Sequence, residues 1–267
     1  MSENRKEVLD HGYVELVETW GSDERIIEAA RMSTSKGFKG WGPITECKKC
    51  GLAESLAHPG APHEYMTVEQ FHCKGHEMNT RSGDEKLLRY LYEHKHSTPF
   101  EMAGLVIEVQ APIFVFRQWH RHRTQSYNEL SARYTPLPAV DYIPTVERLL
   151  SDGGKNKQAG TVKGAEDLDA VTAAAVRVTM ESLYNEAERK YQEYLKLGVP
   201  KELARAVLPV ARYSCMRASA NLRNWLAFLT LRMDSHAQYE IRVYAEAVGE
   251  FIAQHFPRTW ELFAENK

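Results

Sequence analysis

The order of hydrophobic and polar residues predicts alternating strands and helices in the first half of the chain. Residues 12–20 alternate in polarity, which is typical of a short strand, and residues 23–33 have helical spacing after an acidic first turn. Residues 83–96 predict a second helix, which ends before Pro99 because the residue that precedes a proline avoids the helical conformation. Residues 103–110 alternate again and predict a second strand.

Proline and glycine residues divide the region that follows. Pro112 is suited to the first turn of a helix that continues through residues 113–121. A long helix is predicted from about Glu166 to Leu197, because the Gly-Val-Pro sequence at 198–200 is a strong stop signal. Pro200 can start a further short helix, which Pro209 would end.

The last part of the chain predicts one strand and two helices. Residues 211–219 have the composition of a strand, and Asn221 is a suitable N-cap for a helix over 221–232. Ser235 and Gln238 have the spacing of a capping box, so the last helix is predicted to start there. Helices therefore dominate with a few strands between them, and the predicted fold class is mixed α/β.

Residues 35–82 differ from the rest of the chain. They contain several glycine, proline and histidine residues and little periodicity, as expected of a long inserted loop. We therefore predict a single catalytic domain over residues 1–267, with a Cys/His-rich insert at about 35–82.

Composition and charge narrow the class of protein. Of 267 residues, 43% are hydrophobic and 26% are charged, the mean hydropathy is −0.49 and the net charge is −2, which is ordinary for a soluble globular protein. A pI near 6.6 argues against bulk nucleic-acid binding. No apolar run is long enough to span a membrane, and the polar N-terminus lacks a signal-peptide core, so we expect a cytoplasmic protein.

The segment 121–134, RHRTQSYNELSARY, concentrates cations and small polar groups. Arginine presents a rigid fork of donors that matches phosphate or carboxylate, and serine hydroxyls can add hydrogen bonds to the same anion. Asn128 offers both a donor and an acceptor, and Glu129 must accept hydrogen bonds from an arginine or from a ribose hydroxyl. The pattern predicts an anion or nucleotide site.

Other interpretations of this segment remain open at the level of the residues. The basic residues follow a predicted helix and would stabilise its negative end, as solvated charges often do. A phosphohydrolase would use His122 or Ser131 as a nucleophile between arginines. A nucleic-acid-binding module would combine the basic segment with the Cys/His-rich insert.

The same segment resembles the signature motif of flavin-dependent thymidylate synthases. Eight specified residues match over thirteen positions, from Arg121 to Arg133. The similarity extends over most of the chain outside 35–82 and 151–167, and it includes the sequences GYVELVE, HKHSTPFE, APIFVFRQW, VPKELARAVLP, ANLRNW and LRMDSHAQYEI.

The resemblance implies an activity and an architecture. Members of this family methylate dUMP to dTMP, with methylenetetrahydrofolate as the one-carbon donor and FAD, reduced by NADPH, as the source of electrons. They are homotetramers with active sites at subunit interfaces. Their fold has helices around a central mixed or antiparallel sheet, without a Rossmann fingerprint, and this sequence contains no GxGxxG motif.

The resemblance also implies roles for individual residues. Arg232 corresponds to the residue that favours ionisation of the pyrimidine ring, and no enzyme nucleophile is required. The implied dUMP contacts are Gln118, Arg121, Glu129, Ser131, Arg133, Arg205 and Arg232. The implied FAD contacts are Thr98, Arg121, His122, Arg123, Glu129, Asn221 and Arg223, with His96 and Glu101 near the flavin ring. One position departs from the family pattern, because Ala227 stands where a flavin-contacting Asn or His is usual.

The insert contains a candidate structural zinc site. Cys47 and Cys50 form a CxxC pair, and Cys73 and His76 form a CxxH pair. Each pair can place two ligands on one turn, and together they suit tetrahedral zinc. His58, His63 and His72 are alternative ligands. The alternative to a zinc site is a histidine-rich loop with coincidental cysteines, and the family resemblance does not cover this stretch.

Overall fold

The computed structural model describes residues 4–48, 53–55, 78–151 and 168–267, which fall into two compact units. The first unit comprises Met1–Thr19 and Leu105–Phe251, and the second comprises Trp20–Gly104 and Ile252–Lys267. The strands are β1 (Arg5–Val8), β2 (Gly12–Trp20), β3 (Ile44–Cys47), β4 (Ala53–Ser55), β5 (Met78–Arg81), β6 (Gly104–Pro112), β7 (Ser126–Glu129) and β8 (Tyr213–Asn221). The α-helices are α1 (Asp23–Arg31), α2 (Glu85–Glu93), α3 (Ile113–Trp119), α4 (Val146–Leu150), α5 (Ala170–Lys196), α6 (Lys201–Ala204), α7 (Leu222–Arg232), α8 (Tyr239–His255) and α9 (Pro257–Glu265).

A five-stranded sheet, in the order β1-β2-β6-β8-β7, forms the centre of the first unit. Strands β1 and β2 pair antiparallel, as do β7 and β8. The prediction of a mixed α/β fold is confirmed.

Aromatic side chains hold the helices of the first unit together. The Trp119 ring at the end of α3 stacks on Phe228 of α7 with a centroid distance of 4.6 Å. Trp225 of α7 is buried and donates its indole N–H to the Leu105 carbonyl at 3.0 Å, so α7 is attached to β6. This packing brings the C-terminal ends of α3 and α7 together, and the candidate site forms there.

Gly12 allows a close approach in the same unit. A Cβ at this position would collide with the Tyr244 hydroxyl and with the backbone of β6. That hydroxyl donates to the Gln110 carbonyl at 2.8 Å. Glycine is therefore required where Tyr244 of α8 meets the sheet.

In the second unit, a buried carboxylate caps a helix that lies far away in the sequence. Asp23 is the first residue of α1, and its side chain accepts from the Arg258 backbone N–H at 2.9 Å and from the Thr259 hydroxyl at 2.6 Å. The first N–H groups of a helix have no partner within the helix, so Asp23 satisfies the start of α9.

Several predicted elements are confirmed. Strand β2 has the predicted bounds, the helix that follows Pro112 is present, and α7 begins after Asn221. The Asn221 side chain accepts from the Asn224 backbone N–H at 3.0 Å, as an N-cap does. The long helix is also present, but it begins at Ala170 with Asp169 as its N-cap, and the predicted start at Glu166 lies outside the described residues.

Other predictions about elements were wrong. Ser235 does not start the last helix, because it lies in a turn in which Ala237 N donates to Asp234 O, and α8 begins at Tyr239. The insert was expected to be a loop, but β3 pairs antiparallel with β4 and with β5 to form a three-stranded sheet. Strand β1 and the helices α4 and α9 were not predicted. Within the described ranges, no helix is long and apolar enough to cross a bilayer.

Candidate functional site

The segment 121–134 connects α3 to the edge of the central sheet. It leaves the end of α3 in a turn and then forms β7, in which Asn128 pairs with Arg217 and Glu129 with Met216 of β8. The Tyr127 hydroxyl donates to the His122 carbonyl at 2.7 Å and holds the turn against the strand. Ser126, Asn128 and Glu129 are exposed, so their polar groups are accessible to a ligand.

Arg232, His122 and Gln118 form a cluster at the meeting point of α3 and α7. Arg232 is the last residue of α7, and its Nε donates to His122 Nε2 at 2.8 Å. Its Nη2 donates to the Gln118 carbonyl at 3.0 Å. Arg232 therefore stabilises the C-terminal end of α3, a different helix from its own, and it is held in a defined orientation.

Burial and neighbouring cations determine the charges in this cluster. Burial, followed by the charge of Arg232, lowers the pKa of His122 to about 4. The imidazole is consequently neutral at pH 7, which agrees with Nε2 accepting from the guanidinium. Burial, followed by the charge of Arg121, lowers the pKa of Arg232, but an arginine side chain remains protonated in proteins. The cluster therefore presents a fixed positive charge beside a neutral ring.

The lowered pKa of His122 predicts an acid-dependent loss of stability. Between about pH 6.5 and pH 4 the unfolded chain binds a proton at His122 and the folded chain does not, so the free energy of unfolding falls as the pH decreases. In His122→Asn this dependence should be weaker by up to about 1.4 kcal/mol per pH unit, the limit for one proton. Urea unfolding across this range measures the effect. His94→Asn, which alters an exposed histidine, is the control, and an unchanged pH dependence in His122→Asn would contradict the assignment.

An open cleft of about 1550 Å³ begins at this cluster and lies within the first unit. Gln118 and Arg232 line it, together with Arg148, Gln238, Tyr239 and Arg242. Two cations lie near the Tyr239 ring, with the Arg148 guanidinium carbon 5.5 Å and the Arg242 guanidinium carbon 5.8 Å from its centroid. The cleft thus combines cations, amides and an aromatic ring, which are the groups that recognise a nucleotide.

A second cluster contains the predicted phosphate-binding arginines. Arg133 Nε lies 3.1 Å from Glu202 Oε2, and Arg205 Nε donates to the Glu202 carbonyl at 3.3 Å. Both arginines are exposed, and the Ser131 hydroxyl accepts from the Arg133 backbone N–H at 3.4 Å. Among the described residues, the lining of the cleft includes Gln118 and Arg232 but neither Arg133 nor Arg205. Five of the predicted dUMP residues therefore belong to two clusters in one chain: Gln118 and Arg232 in the first, and Ser131, Arg133 and Arg205 in the second.

The predicted flavin residues of the first unit lie on the turn after α3, at the end of β7 and at the start of α7. Arg121 and Arg123 are exposed in the turn, and Arg223 is exposed in the first turn of α7. The side-chain oxygen of Asn221 caps the helix. The side-chain NH₂ group of Asn221 therefore remains to donate to an acceptor on a ligand. Exposed cations beside such donors fit an anionic dinucleotide such as FAD. Ala227 is exposed on α7.

The remaining predicted flavin residues belong to the second unit. Thr98 and Glu101 lie in a short 3-10 helix, Thr98–Met102, and His96 lies just before it. The His96 ring contacts Tyr90 of α2 edge-on, with 5.5 Å between the centroids. Thr98 is exposed and Glu101 is half-buried.

Most of the predicted zinc ligands lie outside the described residues. Cys47 is the last residue of β3, where its backbone pairs with Met78 of β5, while Cys50, Cys73 and His76 are outside. In the described part of the chain, no group of three or more His, Cys, Asp or Glu residues is arranged to hold a metal ion.

Two residues of the cleft, and a buried acid that is hydrogen-bonded to both of them, were not assigned to the site from the sequence. Arg148 belongs to α4, which the sequence pattern did not predict. Gln238 was interpreted only as part of a capping box, and Glu240 is a buried acid on α8. The available signal was the presence of two polar residues at 238 and 240, just before the apolar part of α8.

Comparisons with known proteins agree on one family. The family described as "Thymidylate synthase complementing protein" matches residues 15–258. The flavin-dependent thymidylate synthase of Wolbachia pipientis wMel is 36% identical over 261 residues, covering 97% of this chain and 75% of that protein. The enzyme of the same name from Thermotoga neapolitana is 34% identical over 256 residues, covering 96% of this chain and 92% of that protein.

A solved structure has a similar fold. It is a UMP/dUMP methylase, PolB from Streptomyces cacaoi, bound with 5-Br dUMP. The TM-score is 0.70 at 31% sequence identity, and the match covers 97% of each chain. A second structure of PolB, bound with 5-Br UMP, matches with a TM-score of 0.69.

Proposed function

The chain belongs to the flavin-dependent thymidylate synthase family, and we propose that, as a member, it methylates dUMP to dTMP with the help of a bound flavin. The observation that best supports this function is the Arg232 cluster. There a guanidinium, oriented by His122 and by the end of α3, lies at the edge of a cleft that fits a nucleotide.

Arg232 is proposed to activate the pyrimidine. A fixed cation beside the ring favours the form in which the ring amide has lost its proton, and preorganised charge of this kind is often the largest single contribution to catalysis. Two of the five N–H donors of Arg232 are used by His122 and Gln118, so the others are available to the substrate. No side-chain nucleophile is required.

Arg133, Arg205 and Ser131 are proposed to bind the phosphate of dUMP. They form a cluster of their own, whose acid, Glu202, would give way to the more highly charged phosphate. Because one chain contains the two clusters separately, we propose that an active site combines residues of different subunits. This proposal agrees with the homotetramer and the interface sites that the family resemblance implies.

FAD is proposed to bind through Arg121, His122, Arg123, Glu129, Asn221 and Arg223, together with Thr98, and His96 and Glu101 are proposed to lie near its ring. When bound, the flavin supplies the hydride, with NADPH as its reductant and methylenetetrahydrofolate as the donor of the one-carbon unit. The exposed arginines suit its phosphates, and the neutral imidazole of His122 adds no further charge at pH 7.

The purified protein provides the test. We expect flavin absorbance, and NADPH consumption with formation of dTMP when dUMP and methylenetetrahydrofolate are supplied. Omission of dUMP is the control. A colourless protein that forms no dTMP would contradict the proposal, and release of inorganic phosphate from dUMP would indicate a phosphohydrolase instead.

UMP should be tested in a parallel reaction, because PolB is described as a UMP/dUMP methylase. Methylated UMP as the main product would identify this chain as a ribonucleotide methylase of the same family. The two nucleotides differ only in the ribose 2′-hydroxyl, so the ratio of their kcat/KM values measures the selectivity directly.

A structural zinc ion in the insert is proposed from the sequence pairs alone. The free energy of zinc binding would contribute to the folding of the insert. Elemental analysis of the unmodified protein and of Cys47→Ser tests this proposal, and equal zinc content in both would reject Cys47 as a ligand.

A further inference from the structure

A chain of hydrogen bonds connects a buried carboxylate to Gln118. Glu240 Oε2 accepts from Gln238 Nε2 at 2.7 Å. Gln238 Oε1 in turn accepts from Gln118 Nε2 at 2.5 Å. Glu240 is 3% exposed, whereas Gln118 lines the cleft beside Arg232, so the chain runs from the protein interior to the candidate site.

The chemistry of the three side chains determines which group donates and which accepts in each of these hydrogen bonds. An ionised carboxylate can only accept hydrogen bonds, so Gln238 must direct its NH₂ group towards Glu240. The carbonyl oxygen of Gln238 then faces Gln118, which must direct its own NH₂ group towards Gln238. As a result, the side-chain carbonyl oxygen of Gln118 points away from Gln238.

Glu240 is well suited to impose this direction, because its charge is held in place. Burial opposes its ionisation, but hydrogen bonds from Arg148, from Gln238 and from its own backbone N–H, together with the charge of Arg148, outweigh burial, and the pKa of Glu240 lies below its usual value. Arg148 Nε donates to Oε1 at 2.8 Å, and the Tyr142 hydroxyl donates to the same oxygen at 3.1 Å. At neutral pH the carboxylate is therefore ionised and accepts only.

The backbone of Gln118 is held as well. Its carbonyl accepts from Arg232 Nη2 at 3.0 Å. The residue is thus restrained at its main chain by Arg232 and at its side chain by Gln238.

We propose that Glu240, acting through Gln238, fixes the amide orientation of Gln118 so that its carbonyl oxygen accepts a hydrogen bond from dUMP. Glu240 and Gln238 are then positioning residues, and Gln118 selects a nucleotide group that donates, such as a ribose hydroxyl. The identity of this ligand rests on the proposed function, whereas the hydrogen-bond direction does not.

Glu240→Gln tests the proposal, because a neutral amide can donate as well as accept and no longer imposes one direction. The dissociation constant of dUMP, measured by calorimetry on the flavin-loaded protein, should rise about threefold to tenfold, the effect of losing one hydrogen bond. Tyr142→Phe is the matched control. It removes a different hydrogen bond from the same carboxylate and should leave the dissociation constant within about twofold of that of the unmodified protein.

A double-mutant cycle separates positioning from a general structural role. Gln238→Leu interrupts the chain in the middle, so adding Glu240→Gln to it should not weaken dUMP binding further. Equal dissociation constants in Glu240→Gln and Tyr142→Phe would overturn the proposal. Additive effects in the cycle would also overturn it.

A ligand-free measurement makes the inference independent of the proposed function. The side-chain amide NMR signals of Gln118, assigned by their loss in Gln118→Leu, should shift in Glu240→Gln and stay in place in Tyr142→Phe. An unmodified protein that does not bind dUMP would contradict the proposed function, while these signals would still decide the orientation. Unchanged Gln118 signals in Glu240→Gln would overturn the inference even if dUMP binds normally.

Discussion

Arg232→Ala should lower kcat for dUMP methylation by about 10²- to 10³-fold, the usual effect of removing one preorganised charged donor from an active site. The guanidinium is held by His122 and by the Gln118 carbonyl, so it requires no rearrangement before it acts on the substrate. Water that fills the half-buried position of the guanidinium carries no charge and has no fixed orientation, so it cannot replace the lost cation. The flavin content should remain that of the unmodified protein.

Two further variants show whether the charge or its geometry matters. Arg232→Lys keeps a positive charge but loses the planar fork, so it should recover only part of the activity. Arg25→Ala, which removes an exposed arginine of α1, should leave kcat unchanged. If Arg232→Ala retains the kcat of the unmodified protein, Arg232 has no part in the mechanism.

Arg212→Met should lower the free energy of unfolding by about 3–5 kcal/mol, because it leaves two largely buried carboxylates without their cation. Arg212 is 1% exposed, with Nε 3.0 Å from Asp141 Oδ1 and Nη1 2.7 Å from Glu188 Oε2. The three residues connect the position just before β8, the segment before α4 and the long helix α5. Urea unfolding measures the change.

The control for this variant is an arginine on the surface of α5, the helix that carries Glu188. Arg189→Met removes exposed ion pairs with Glu186 and Glu193 and should lower the free energy of unfolding by no more than about 1 kcal/mol. A triple variant in which Arg212, Asp141 and Glu188 all become apolar should regain much of the loss, since no charge is left unpaired. If Arg212→Met and Arg189→Met lower the free energy of unfolding equally, the burial of Arg212 adds nothing to the cost of removing its charge.

Local sequence predicted some elements well, because their signals are contained within a few residues. The N-cap of α7 needs only Asn221 and the backbone N–H three residues later, and both are neighbours in the chain. The helix after Pro112 likewise depends on the conformation of a single residue. The predicted strand at 12–20 agrees with β2 because its alternation reflects burial on the sheet.

Elements that depend on distant partners were missed. Strand β7 is short and polar, and it is a strand because β8 provides the partner for its backbone. Helix α9 begins where the Asp23 side chain, far away in the sequence, accepts from its first backbone N–H groups. Ser235 had the right spacing for a cap, but hydrogen bonds within its own turn placed the start of α8 four residues later.

The sequence by itself determined the family to which the chain belongs, and it determined the chemical groups available to the proposed nucleotide site, namely the arginines, the serines and the amides of the motif. Only the tertiary structure decided how these groups are divided and oriented. It placed Arg232 against His122 and the end of α3, put Arg133 and Arg205 in a separate cluster, and linked Gln118 to Glu240. The physical reason is that the charge state and the direction of a polar side chain depend on burial and on partners that the folded chain supplies.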